Sequence, residues 1–386
     1  MTAPAPRPRR PAAAPGAANA ARRPSRTSPA PPVLVRQLRN GIEESTHRGD
    51  VVEVDAAGRI VRQLGDPDRL VTLRSTVKPF GAVALLEAGG REAFDLQPAE
   101  IALLASSHSG EDLHVRTLQG MFRRAQLSQA LLATGVEGMP LDALTAARLT
   151  RDGERPGPIR HMCSGQHAVL LLLARHRGWD TTDYWCDTHP AQLAYREAVA
   201  RAFGVRSERL RTAIDGCGLL TYAFSLREVA RAYAMLADPA AIPASDERSS
   251  MAEPLTLVRD AMLAHPEMVA GTRDQLDTSL MKASPGRLIS KAGMEALRGV
   301  AILGGPRAGA DSGPSGLALK IEDGDGHDRA TWAASVEALR QAGVLDAGAI
   351  RLLGRYHHPI EPDPHGRPAG EAVAEFDLAP VGELIS

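Results

Sequence analysis

Apolar and polar residues alternate along Val51-Val52-Glu53-Val54-Asp55, pause at Ala56-Ala57-Gly58, and resume along Arg59-Ile60-Val61-Arg62. A period of two broken by a glycine turn predicts a β-hairpin, because successive strand residues face opposite sides of a sheet. From about Ser75 to Ala88 the pattern is helical, and Gly89-Gly90 is a stop signal. Pro98-Ala99-Glu100 opens a short apolar helix that runs into Ser106-Ser107-His108-Ser109-Gly110, and another helix covers about 111–125. Gln166 to Arg175 is so apolar that it predicts the central buried helix. Further helical segments fall near 190–203, 226–237 and 255–264, with a Pro-, Ser- and Asp-rich surface loop over 238–254. Val300-Ala301-Ile302-Leu303 and Gly316-Leu317-Ala318-Leu319-Lys320-Ile321 read as strands, and Gly324-Asp325-Gly326 turns the chain into an amphipathic helix over roughly 328–343. No internal repeat interrupts this order. Strands at both ends with helices between them predict an α+β fold, in which both termini build one antiparallel sheet and a helical region is inserted.

Composition adds bounds. Of 386 residues, 44% are hydrophobic, which suffices for a core of one large or two smaller domains. Residues 1–32 stand apart as a Pro/Ala/Arg-rich segment with six Arg and no Asp or Glu. Such a segment buries too little apolar surface to offset its ordering entropy, so a disordered leader is expected there and a folded catalytic domain over 33–386. No apolar stretch follows Arg9-Arg10 or Arg22-Arg23, which argues against a twin-arginine export signal. A net charge of -1 supplies no field that would draw the chain to nucleic acid or an anionic membrane. No apolar run approaches the roughly 18–20 residues of a membrane span. Three cysteines make an odd, sparse set that argues for a reducing, cytoplasmic compartment rather than a disulfide framework.

Three short motifs carry chemistry. Ser75-Thr76-Val77-Lys78 is an S-x-x-K at a helix start, where residues three apart share a face and the Lys78 amine can reach the Ser75 hydroxyl. Taken alone, it reads more readily as a helix-capping serine and a surface lysine. Ser107-His108-Ser109 and Lys291-Ala292-Gly293 follow in the order of the S-x-x-K, S-D-N and K-T-G motifs of serine acyl-transfer enzymes. Together they offer two pairs, Ser75 with Lys78 and Ser107 with Lys291. Cys163, opening the apolar helix, and Cys217, in the turn Asp215-Gly216-Cys217-Gly218, could hold a soft metal such as Zn²⁺ or serve as small buried hydrophobes. His161, His167 and Asp215 are the nearby candidates for further ligands. His357-His358, Trp179 and Trp185 read as packing or surface residues. No phosphate loop or dinucleotide fingerprint is present.

Seven stretches in order resemble the asparaginase II family, the rhizobial-type L-asparaginases. They are His47-Arg48-Gly49; Arg74-Ser75-Thr76-Val77-Lys78-Pro79; Ser107-His108-Ser109-Gly110-Glu111; Cys163-Ser164-Gly165; Asp215-Gly216-Cys217-Gly218; Pro266-Glu267-Met268-Val269-Ala270-Gly271-Thr272; and Ser290-Lys291. The resemblance implies a serine β-lactamase/glutaminase-like fold and hydrolysis of L-asparagine to aspartate and ammonia. It implies Ser75 as nucleophile, Lys78 as its base, and Ser107 with Lys291 for proton transfer and substrate positioning. It also implies substrate contacts from His47, Arg48, Arg74, Ser109, His167 and Asp215, zinc near the substrate at Cys163 and Cys217, and a homodimer. One position departs from the family: Gln166 stands where a lysine usually follows the first metal-site cysteine. A neutral amine can ligate zinc and a carboxamide is a poor ligand. Rival readings are an enzyme of the same fold that hydrolyses or transfers another small amide, and a pseudoenzyme that binds an amino acid.

Overall fold

The computed structural model describes residues 30–135, 140–307 and 310–381. The leader expected over 1–32 therefore falls, up to residue 29, outside the described residues. The folded chain is pinned from Pro31 and Pro32 onward, whose carbonyls accept from Arg48 Nη1 (2.9 Å) and the Gly49 N–H (3.0 Å).

The main sheet draws on both halves of the chain. Its strands are β1 (Val33–Arg39), β2 (Ile42–Asp55), β3 (Ile60–Leu64), β4 (Leu288–Gly293), β5 (Leu297–Ile302), β6 (Ser315–Ile321), β7 (Ile360–Pro362) and β8 (Pro368–Ala374). Their order is β7-β8-β1-β2-β6-β5-β4, with β3 beside β2, and the pairings are antiparallel. The expected α+β architecture is thus the observed one. Alternation alone did not predict the β1–β2 hairpin. It closes on Asn40-Gly41, both with left-handed backbone (φ 49° and 77°), the turn whose twist matches paired strands. The first half of β2 pairs with β1, and the second half, from Gly49 on, pairs with β6. Gly49 sits at this changeover, where a Cβ would lie 2.3 Å from Lys320 O and 2.8 Å from Leu34 Cδ1.

Helices cover both faces of the sheet. They include α1 (Lys78–Glu87), α2 (Ser164–Arg177), α3 (Leu226–Ala237), α4 (Leu276–Ala283) and α5 (Arg329–Gln341). Arg298 and Gly299 of β5 are consecutive and so point to opposite faces. Arg298 Nε donates to Ser335 Oγ of α5 (3.0 Å), whereas a Cβ on Gly299 would enter the Tyr233 ring of α3. The inserted helical region centres on α1 and α2. Residues 78–86 of α1 and 164–174 of α2 are buried, as the apolar run of α2 predicted.

Two local details differ from the sequence reading. Ser75 lies on a 3₁₀ turn, Arg74–Val77, that feeds α1 rather than in the α-helix itself. Gly89 (φ 86°) ends α1, yet Gly90 opens a short helix, Gly90–Phe94. The loop expected over 238–254 contains two 3₁₀ turns, and its Met251 is fully buried.

The Gly49 site gives a direct check. Because the clashing Lys320 oxygen belongs to a paired strand, Gly49→Ala is expected to lower stability by about 1–3 kcal/mol, the usual cost of overpacking. Chemical denaturation at constant slope measures it.

Candidate active site

The geometry starts at the 3₁₀ turn. Arg74 holds a left-handed backbone (φ 46°), a conformation that costs a side-chain-bearing residue on the order of 1–3 kcal/mol. Its N–H donates to Thr221 Oγ1 (2.9 Å) and its Nε to Asp215 Oδ1 (2.6 Å), so two partners fix the strained residue next to Ser75. From α3, Tyr233 Oη donates to Thr76 O (2.9 Å) and holds the other side of the turn. Sequence reasoning missed Tyr233, because nothing in its helical pattern separates it from other core residues. The third motif closes on the same turn. A Cβ on Gly293 would lie 2.9 Å from Leu73 O and 3.1 Å from Thr76 Cγ2, so the edge strand β4 can approach Ser75 only with glycine there.

Four predicted residues meet here; the expected Ser107–Lys291 pair forms, whereas Lys78 pairs with Ser107 rather than Ser75. Lys78 Nζ donates to Ser107 Oγ (3.0 Å), and Lys291 Nζ donates to the same oxygen (2.8 Å). Among the described residues no hydrogen bond joins Lys78 to Ser75. The arrangement is two amines on one serine, not two separate Ser/Lys pairs. Both lysines are almost fully buried. Lys78 also lies 3.4 Å from Cys163 Sγ, and Lys291 donates to Ala292 O (2.7 Å). Burial, reinforced by the Lys78 charge and only partly offset by Asp277, pulls Lys291 down from 10.5 to about 7. A neutral amine is therefore accessible at neutral pH.

Behind Lys291 lies a buried pair that the motifs did not reveal. Asp277, at the start of α4, accepts from Ser290 Oγ (2.7 Å) and the Ala292 N–H (2.8 Å) and forms an ion pair with Arg298. Burial alone would push this carboxyl up, but Arg298 and Lys291 outweigh it and hold it below its usual range. The Ser107 loop is pinned by the Pro266–Thr272 stretch. The Ser107 and Ser109 N–H groups donate to Val269 O (2.9 Å) and Ala270 O (2.7 Å).

Ser75 and Ser107 both open into a cavity of about 350 Å³. Its walls include Met162, Gln275 and Asp277, the turn after β4, and the loop before α5. This lies near the small end of the roughly 300–1,000 Å³ common for ligand sites, which suits a small substrate. The six residues expected to touch substrate do not line it. His47 Nδ1 pairs with Asp323 Oδ2 (2.8 Å), and Arg48 engages Pro31. Arg74 and Asp215 neutralise each other. Ser109 Oγ donates to Glu111 Oε1 (2.7 Å). His167 Nδ1 pairs with Tyr184 Oη (2.6 Å), and burial holds the imidazole down at about 3. Each of the six is thus engaged by a partner within the protein.

The thiols do meet. Cys163 and Cys217 are buried and act on each other: Cys217 lowers the Cys163 pKa, helped by Lys78 and His161, while Cys163 and burial raise Cys217. A structural zinc takes four donors, and a catalytic one three plus water. Here His161 Nδ1 accepts from the Cys163 N–H (3.1 Å), and Gln166 Nε2 donates to Tyr195 Oη (3.1 Å). Among the described residues no group of three or more His, Cys, Asp or Glu side chains is arranged to hold a metal ion. The donor set does not fit the zinc expected at Cys163 and Cys217.

With this geometry in hand, the comparisons can be placed. The chain belongs to the L-asparaginase II family, whose model matches residues 35–374. It is an amidohydrolase by that membership. No curated protein matches the sequence. Among solved structures, a probable glutaminase from Bacillus subtilis complexed with 6-diazo-5-oxo-L-norleucine shares 11% identity over 77% of this chain and 84% of its own, with a TM-score of 0.38. Mglu in its tris and glutamate form shares 17% over 82% of this chain and 64% of its own, with a TM-score of 0.35. A β-lactamase from Mycobacterium bovis shares 14% over 80% and 95%, with a TM-score of 0.35. No argument rests on likenesses this distant. Among the described residues no helix is long and apolar enough to cross a membrane.

Two outcomes follow for the site. The unfolded chain keeps the lysine proton up to about 10.5 and the folded one releases it near 7, so between these values Lys291 makes stability rise with pH. The melting temperature should therefore climb from pH 7 to 9 more in the wild type than in Lys291→Met. Metal analysis of purified protein should find zinc well below equimolar, and chelator should leave activity unchanged.

Proposed function

We propose that this amidohydrolase cleaves the side-chain amide of L-asparagine through an acyl-enzyme on Ser75. The observation that carries the reading is Ser107 Oγ receiving both buried amines, at 3.0 and 2.8 Å, in the cavity that also holds Ser75. A serine oxygen that accepts two hydrogen bonds still has its own O–H to donate, and the open side is the cavity. Two amines on one oxygen repel when both are charged, which favours one neutral amine that can take a proton.

In this scheme Lys78, one turn from Ser75, takes the Ser75 proton as Oγ attacks the amide carbon. Backbone N–H groups beside Ser75 stabilise the oxygen that gains charge. The C–N bond breaks, and the departing nitrogen takes its proton through Ser107, which is resupplied from Lys291. Water then attacks the ester with a lysine as base, releasing the acid and restoring Ser75. A second reading, another small amide as substrate, is favoured by the carboxylates that line the cavity.

Ammonia release from L-asparagine by the full chain tests the proposal. Ser75→Ala and Lys78→Ala should each fall below a few per cent of wild type while keeping the wild-type melting temperature. Substantial turnover in folded Ser75→Ala would sink the nucleophile assignment. Because Lys291 resupplies the proton that leaves with the nitrogen, wild-type activity should fall as pH rises above about 7 and Lys291 loses it.

A further inference from the structure

Among the described residues the cavity lining carries carboxylates and no basic side chain. Glu295 from the turn after β4 and Asp323, Asp325 and Asp328 from the loop before α5 join Asp277 there. Two of these are already answered. Asp277 has Arg298, and Asp323 has His47 Nδ1 (2.8 Å) and the Asp325 N–H (3.0 Å). Asp325 is different. Its Oδ2 accepts from the Thr331 N–H (2.6 Å) and Thr331 Oγ1 (2.9 Å), which fixes the carboxylate against the first turn of α5. Its Oδ1 has no hydrogen-bond partner among the described residues, although Asp325 is only 4% exposed. Asp328 adds to the same wall. It stands at the N-cap position of α5, yet its carboxylate caps nothing.

A buried carboxylate oxygen without a donor is costly, and this one belongs to a residue that lines the catalytic cavity. A donor arriving through the cavity completes it, and a charged donor does so best. We infer that Asp325 Oδ1 anchors an ammonium group of the substrate, with Asp328 and Glu295 supplying the surrounding negative charge. The site then selects small amides by a cationic far end. A primary ammonium brings three donors and a full charge, and charge-assisted bonds are about twice as strong as neutral ones. A free carboxylate at that end meets the same acidic wall and no lining lysine or arginine. The inference rests on the Ser75 reading for which bond is cleaved, and itself concerns only which end is held.

Three probes share the side-chain amide. L-asparaginamide has the ammonium without a carboxylate, L-asparagine has both, and succinamate has the carboxylate alone. Their binding is measured by calorimetry on the full chain carrying Ser75→Ala. L-asparaginamide should bind tightest and succinamate weakest, with a spread of at least about tenfold, as a charge-assisted bond gives. Adding Asp325→Asn should collapse that spread by weakening only the two ammonium-bearing probes. Asparagine keeps an acceptor for Thr331 and tolerates the left-handed backbone at φ 42°. If that variant does not fold, Asp328→Asn should narrow the spread by itself. Succinamate binding as tightly as L-asparaginamide, equal weakening of all three probes, or binding of none would overturn the inference. Turnover by wild type against Ser75→Ala judges the catalytic reading separately, so either can fail while the other stands.

Discussion

Two lysine amines brought to one serine oxygen inside the protein are the constraint around which the site is built. Each amine loses its water on burial, and the Lys78 charge adds to the burial that lowers Lys291. Such a pair persists only if the surrounding structure compensates. Asp277 does this behind Lys291, as a buried carboxylate that faces both the lysine and the Arg298 guanidinium. Removing one partner of such a buried pair typically costs about 3–5 kcal/mol, because the other charge is left stranded. The same carboxylate also fixes the Ala292 N–H and Ser290 Oγ, so the electrostatics and the position of β4 have one origin.

The strained Arg74 fits the same logic. Its left-handed backbone is held by Thr221 and Asp215, while Tyr233 holds the Thr76 carbonyl. These partners come from distant parts of the chain, so the turn that presents Ser75 exists only in the folded protein. The glycine at 293 lets the edge strand press against that turn. His167, Ser109 and the Arg74–Asp215 pair, expected from the sequence to touch substrate, are each engaged by a partner within the protein and lie outside the cavity lining.

The thiol pair shows how one substitution changes the meaning of its neighbours. Cys163 and Cys217 come together as a metal site would need, but Gln166 turns to Tyr195 and supplies no third donor. What remains is a buried thiol, Cys163, whose Sγ lies 3.4 Å from the Lys78 amine.

Much of the fold was legible because periodicity is a local signal. The β2–β3 hairpin, the buried α2 and the antiparallel sheet fed by both ends follow from patterns a few residues long. The identities of Ser75, Lys78, Ser107 and Lys291 were legible too, since spacing and order survive without coordinates. Their partnership was not. That both amines meet on Ser107 and that Asp277 backs Lys291 depend on contacts between residues far apart in sequence, and that Asp325, on the cavity wall, keeps one buried oxygen without a partner among the described residues depends on how the fold encloses it. Sequence by itself determined which chemical groups this protein owns and the layered fold that carries them. Tertiary structure decided which of those groups share a proton, a charge or a cavity, because distance and burial set such energies and neither is written in local order.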